Sequence, residues 1–207
     1  MYMPPAFQET DLPTIHNMMR TARLANLVTA TAGGLECTPL PLLLDENEGE
    51  MGTLYGHIAK ANPQWKAPAV GEAMVIFMGP DAYITPSWYG GKTSDGKVVP
   101  TWNYVAIHAY GRVEFFTESD LLLDVVTRLT DRHEASRPQP WAVGDAPPEF
   151  VEAQLRGIVG VRLPITRFDA KRKMSQNRTP EDRASVKAGL LGSADPGDRQ
   201  AAALIAE

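Results

Sequence analysis

Within the segment Gly56-His57-Ile58-Ala59-Lys60-Ala61-Asn62-Pro63-Gln64-Trp65, the chain sets a titratable ring, a fixed cation and an amide close together. The β-branched and aromatic run Thr53-Leu54-Tyr55 leads into it and Pro63 stops the pattern, so these groups stand at a strand end. Such a set can cradle a phosphate or another small anion. Ala59 and Ala61 leave room beside Lys60 for a ligand and for backbone N–H donors. The same residues equally describe a solvated strand end, and the segment alone leaves both readings open.

Two further groups could do chemistry. Tyr83-Ile84-Thr85-Pro86-Ser87-Trp88-Tyr89 and Pro100-Thr101-Trp102-Asn103-Tyr104 offer flat faces and an amide on either side of a Gly/Lys/Ser-rich loop. They suit a planar heterocycle, or else are rim aromatics packed on each other or on a second subunit. The dense basic run Ala170-Lys171-Arg172-Lys173-Met174-Ser175-Gln176-Asn177-Arg178 reads three ways: an anion clamp, a nucleic-acid patch, or a solvated strand end. Asp169, Glu181 and Asp182 offset part of its charge, which makes the nucleic-acid reading the weakest.

Other chemistries lack their residues. Gly90-Gly91-Lys92-Thr93 is not a phosphate loop, because Pro86 stands where that motif needs glycine. No G-x-G-x-x-G or G-x-S-x-G occurs. The four histidines (His16, His57, His108 and His133) share no metal-ligand spacing, so no metal site is expected. Cys37 is the only cysteine, which excludes an intramolecular disulfide and fits a reducing compartment.

The elements that position these groups follow from pattern. Asp11 caps a helix over 11–22 with Ile15, Met18 and Met19 as its apolar stripe. Strands 24–31 and 35–44 flank the hairpin signal Gly33-Gly34, and Met51 to Ile58 forms the next strand. Met74 to Met78 and Ala82 to Thr85 read as two strands, and Tyr104 to Phe116 as one alternating strand. Thr117 and Asp120 predict a capping box for a helix carrying Leu122, Val126 and Leu129. A short helix over 149–156, a strand over 159–168 and helix starts at Thr179-Pro180 and Asp195-Pro196 complete the chain. Sequential short strands with tight turns predict a mainly β, α+β fold built on an antiparallel barrel.

At 207 residues, 43% of them hydrophobic, the chain can bury a sizeable core. Net charge is -5 and pI near 5.4, so global electrostatics do not point to nucleic acid. No basic region followed by an apolar block opens the chain, and no apolar run approaches ~20 residues. The expectation is a cytoplasmic protein with no membrane contact.

Together with Met1-Tyr2-Met3-Pro4, Gly79-Pro80-Asp81-Ala82 and Lys173 to Arg178, these motifs resemble the FMN-binding negative transcriptional regulators of the PaiB type. Order and spacing agree from the first residue to about Leu191. The resemblance implies an FMN-binding split β-barrel related to the pyridoxamine-phosphate-oxidase flavoproteins, with a helical insert and C-terminal helices. It implies a domain over residues 1–191 and a helical tail over 192–207. It also implies a homodimer with FMN in the cleft between subunits.

By that resemblance His57, Ala59, Lys60 and Asn62 lie near the FMN phosphate and ribityl chain. Trp102, Asn103 and Tyr104 line the same cleft, and Ser175, Gln176 and Arg178 reach a flavin, in one arrangement the partner's. The loop Gly90 to Val99 is longer than the family pattern, as a mobile lid or a surface insertion. The implied function is a regulator that represses transcription; DNA as a partner rests on the resemblance alone, since no helix-turn-helix is visible. An FMN-dependent oxidoreductase acting on a small molecule is the alternative, and a non-catalytic flavin- or haem-binding module a third reading.

Overall fold

The computed structural model describes residues 1–90 and 96–206. Positions 91–95, which hold most of the phosphate-loop-like tetrapeptide and half of the Gly90–Val99 loop, lie outside the described residues. Among the described residues are nine strands and five α-helices, an α+β fold. Helix α1 is Leu12–Thr21, α2 Ser119–Glu134, α3 Pro148–Leu155, α4 Pro180–Leu191 and α5 Pro196–Ala203. The strands are β1 Ala25–Thr31, β2 Gly34–Leu40, β3 Leu43–Asp45, β4 Thr53–Ala59, β5 Ala73–Ile84, β6 Thr101–Gly111, β7 Glu114–Phe116, β8 Ile158–Pro164 and β9 Arg167–Lys173. They form a five-stranded sheet of order β2-β1-β5-β6-β9 and a four-stranded sheet of order β3-β4-β8-β7.

Contacts divide the chain into two compact units. One comprises His16–Phe77 and His108–Phe168, the other Met1–Ile15, Met78–Ile107 and Asp169–Glu207. In the first unit the glycine pair turns the β1–β2 hairpin as expected, with Thr31 opposite Gly34 and Gly34 at φ 121°. Strand β4 pairs antiparallel with β8 along its whole length, Thr53 opposite Pro164 to Ala59 opposite Ile158. Helix α2 lays Leu122, Val125 and Leu129 against β4 and β8, where Leu54, Ile58, Val159, Val161 and Leu163 are buried. Arg162 of β8 ties strands together on the opposite face: it bonds Glu48 and the Tyr55 hydroxyl (3.0 Å), and Glu114 at 2.7 Å. Burial works against ionisation of Glu48, but the hydrogen bonds from Arg162 and Tyr55 prevail and hold its carboxyl below the usual range.

In the second unit the N-terminal segment bridges β9, with the Glu9 N–H donating to the Ala170 carbonyl at 2.9 Å. Both predicted caps form: Thr179 Oγ1 accepts from the Asp182 N–H, and Asp195 Oδ1 from the Gly197 N–H at 2.7 Å. Helices α4 and α5 pack on each other, burying Val186, Leu190, Ala201 and Ala202. A Cβ on Gly189 would lie 2.3 Å from the Trp88 indole, so this glycine lets α4 close on the 3-10 turn Pro86–Trp88.

The structure departs from the pattern reading at four places. Met74–Met78 and Ala82–Thr85 are one strand, β5; the register with β1 ends at Phe77, so Pro80 interrupts no β1 pairing. Tyr104–Phe116 is two strands in different sheets, broken at Arg112 and Val113. Residues 35–44 likewise split at Pro41 into β2 and β3. The Thr117/Asp120 capping box does not form; Glu118 holds the N-cap position of α2 without a side-chain cap.

Gly111, where β6 ends, admits no side chain: a Cβ there would sit 2.1 Å from the Pro164 carbonyl oxygen. Gly111→Ala is expected to destabilise the protein by about 1–3 kcal/mol through the backbone shift it forces. Urea denaturation reads this as a lower midpoint with an unchanged slope.

Candidate functional site

The strand end of β4 is held from behind by a buried carboxamide. Asn62 caps the 3-10 turn Pro63–Lys66, its Oδ1 accepting the Gln64 N–H at 2.9 Å. Its Nδ2 donates to Thr38 Oγ1 at 2.8 Å. Gln64, which is buried, donates through Nε2 to the Leu27 carbonyl (3.2 Å) and Thr29 Oγ1 (3.0 Å) and accepts from Thr38 Oγ1. The turn is thereby bolted to the β1–β2 hairpin, and the whole carboxamide of Gln64 is matched. Sequence reasoning missed Gln64 and Thr38; the visible signal was the Asn-Pro start of a turn, with Thr29 and Thr38 on the two strands of the preceding hairpin.

Lys60 is pinned through its backbone and free at its head. Its N–H donates to the Gly157 carbonyl at 2.8 Å, and its carbonyl accepts the Trp65 indole N–H at 3.0 Å. Its exposed ammonium has no hydrogen bond or ion pair among the described residues. Ala59 and Ala61 beside it are exposed and small. His57, half-buried on β4, carries a buried Nδ1 without a hydrogen-bond partner, and burial pushes its imidazole below the ordinary histidine value. A buried ring nitrogen with no partner and a free ammonium are a chemical fit to an anionic oxygen.

The second unit gathers the other predicted residues. Asn103, buried on β6, donates from Nδ2 to Ser175 Oγ at 3.0 Å. Ser175 adopts φ 61°, left-handed backbone that a non-glycine residue rarely takes, and this buried pair holds it there. Gln176 is engaged locally, bonding the Met174 N–H at 2.6 Å and the Arg172 carbonyl. Trp102 is half exposed, edge-on to Tyr83 with centroids 6.1 Å apart.

The basic run is part of β9 and the turn after it. Lys171 is buried, its ammonium 5.2 Å from the Tyr104 ring centre and 5.7 Å from that of Tyr2, and bonded to the Tyr2 carbonyl. Lys173 reaches Thr101 Oγ1 and the Trp102 carbonyl. Burial, with Lys171 and Arg178 as like-charged neighbours, pulls the Lys173 ammonium below its usual value. Arg178 stacks over Tyr89 at 4.4 Å. Trp102, Asn103, Tyr104, Ser175, Gln176 and Arg178 therefore belong to one unit, and His57, Ala59, Lys60 and Asn62 to the other. Beside the first set, Lys171 and Lys173 add to Arg178 next to the half-exposed Trp102, which suits an anionic heterocycle. No group of three or more metal-ligating side chains occurs among the described residues.

Comparison with known proteins now adds identity of kind. Residues 1–167 match the family described as "Putative FMN-binding domain". The chain is 34% identical over 206 residues to "Protease synthase and sporulation protein PAI 2" of Bacillus subtilis, covering 99% of this chain and 96% of that protein. Among solved structures, the FAD and heme binding protein of Mycobacterium smegmatis aligns over 80% of this chain and 73% of its own, at 16% identity and TM-score 0.58. The flavocytochrome Anf3 of Azotobacter vinelandii aligns over 86% of this chain and 75% of its own, at 15% identity and TM-score 0.59. The fold is thus the split β-barrel shared with these proteins.

The burial of His57 has a measurable consequence. Its folded-state value lies below the ordinary 6.5 of a histidine, so the unfolded chain binds the proton more readily. Its contribution to stability is complete above that ordinary value and is lost as pH falls through the lowered one. The difference in unfolding free energy between the wild type and His57→Gln is expected to shrink on acidification over that window, and a pH-independent difference contradicts the assignment.

Proposed function

The chain belongs to the FMN-binding domain family described above, and from that premise we propose that it is an FMN-binding regulator acting as a homodimer that represses transcription. The observation that carries the cofactor assignment is the strand end of β4, where the free Lys60 ammonium follows the unpartnered buried Nδ1 of His57. A phosphate monoester brings roughly -1.5 to -2 charges at neutral pH, and Lys60 supplies the opposite charge. His57 meets a phosphate oxygen through Nδ1, either donating as the neutral tautomer or gaining a proton as the anion arrives. Asn62 acts through the turn it caps, which fixes the direction of the Lys60 backbone.

In this reading Trp102 and Tyr104 supply flat surface to the isoalloxazine, and Asn103 and Ser175 shape the wall beneath it. Gln176 braces the left-handed turn, and Arg178, braced on Tyr89, offers a second cation. When bound, the flavin supplies reversible one- and two-electron chemistry, and the protein's share is binding and orientation. The repressor role draws on likeness to the PaiB type. With a net charge of -5, DNA contact requires a local basic surface, and binding would fall steeply with salt.

Lys60→Ala is expected to weaken FMN binding by about ten- to hundredfold, the range of one charge-assisted hydrogen bond, with the unfolding midpoint of the flavin-free protein unchanged. Fluorescence titration of FMN measures it. An unaltered affinity removes Lys60 from the phosphate site.

A further inference from the structure

A second cationic hollow lies within the unit His16–Phe77 and His108–Phe168. It is a cleft of about 730 Å³ lined by Arg20 to Leu24, Pro41, Arg132 and His133. It shares no residue with the strand end of β4. Its polar wall holds three arginines and a histidine in a chain whose net charge is -5.

The charges of this wall are unequally matched. Arg20 is paired with Glu46. Among the described residues Arg132 has no carboxylate partner; its guanidinium donates to two main-chain carbonyls, Leu42 at 3.0 Å and Arg20 at 2.5 Å. The second of these lies in the last turn of α1, so Arg132 covers part of the negative end of that helix. Burial, and then the Arg20 guanidinium, pull Arg132 below the usual arginine range, the mark of a cation without enough counter-charge. Arg23 and His133 are exposed, and neither has a hydrogen bond or ion pair among the described residues. Of the two carboxylates that flank Arg132 and His133 in sequence, Glu134 is occupied elsewhere by Arg137 Nε at 3.0 Å and the Trp141 N–H at 3.1 Å, and the exposed Asp131 forms no ion pair among the described residues.

Opposite chemistry completes the cleft. Leu24, more than half exposed, and Pro41 present apolar surface beside the cations. A hollow of this volume falls in the range of small-molecule sites. We propose that this cleft is a second ligand site, taking a nucleotide-sized organic phosphate whose phosphate meets Arg23, Arg132 and His133 and whose organic part lies on Leu24 and Pro41. The cations are gathered at one hollow, which favours a small molecule over DNA, since DNA needs cations spread along an extended track. The proposal does not depend on FMN binding at Lys60, and the test separates the two.

Calorimetric titration of the FMN-saturated full chain with AMP and with inorganic pyrophosphate is the experiment, repeated on the double variant Arg23→Gln/His133→Gln. Both replaced side chains are exposed, so the variant is expected to fold; its unfolding midpoint checks this. The proposal expects saturable AMP binding, a loss of at least about tenfold in the variant, equivalent to ~1.4 kcal/mol, and unchanged FMN affinity. It is overturned if AMP does not bind, whether or not pyrophosphate does, or if AMP binds the variant as well as the wild type. Loss of duplex-DNA binding in the variant, with no AMP binding to the wild type, would identify a nucleic-acid surface instead.

Discussion

The buried carboxamide of Gln64 is the constraint on which the strand end of β4 depends. It has hydrogen bonds to Leu27, Thr29 and Thr38, all on the β1–β2 hairpin, and its own N–H is taken by the Asn62 cap. An amide buried this deeply is costly unless each donor and acceptor is matched, so the match selects one arrangement of turn and hairpin. Lys60 inherits that arrangement: its N–H and carbonyl are both engaged, while its ammonium stays free. The chain thus rigidifies the backbone around a cation and leaves the cation unspent, as a preorganised anion site requires.

The basic turn after β9 follows a different logic. Lys171 and Lys173 are long side chains whose stems lie in the fold and whose heads find carbonyls, a hydroxyl and tyrosine faces instead of carboxylates. Ser175 is kept in left-handed backbone by its exchange of hydrogen bonds with Asn103. Positive charge that nearby carboxylates offset only in part opposes folding by its own repulsion, and an anionic ligand relieves it. Lys173 is discharged more easily than an ordinary lysine, first by its burial and then by the like charges of Lys171 and Arg178. Burial and a like charge act the same way on Arg132 in the other unit.

Local chemistry was legible at most places where the deciding interaction is local, the Thr117/Asp120 capping box being the exception. The β1–β2 hairpin follows from its glycine pair, and α4 and α5 start where Thr179 and Asp195 with a following proline place them. Long-range pairing was not legible. Gly79-Pro80 reads as a break in any window, yet β5 runs through it because the β1 register has already ended. The alternation through Arg112 looks continuous, although β6 and β7 belong to different sheets. The basic run looks like a solvated end, and only the rings of Tyr2 and Tyr104, distant in sequence, explain a buried Lys171. At the candidate site, residue types pointed to His57 and Lys60, but the split between side chains engaged in the fold, such as Asn62 and Gln176, and side chains left free needed three dimensions.

The most direct measurement of the central claim is the identity of the chromophore released when the purified protein is denatured, followed by mass and absorption spectra. The account predicts FMN in stoichiometric amount, or, from protein purified without it, tight uptake of FMN but not of riboflavin, which lacks the phosphate. No released flavin together with no uptake of FMN, or equal affinity for FMN and riboflavin, contradicts it.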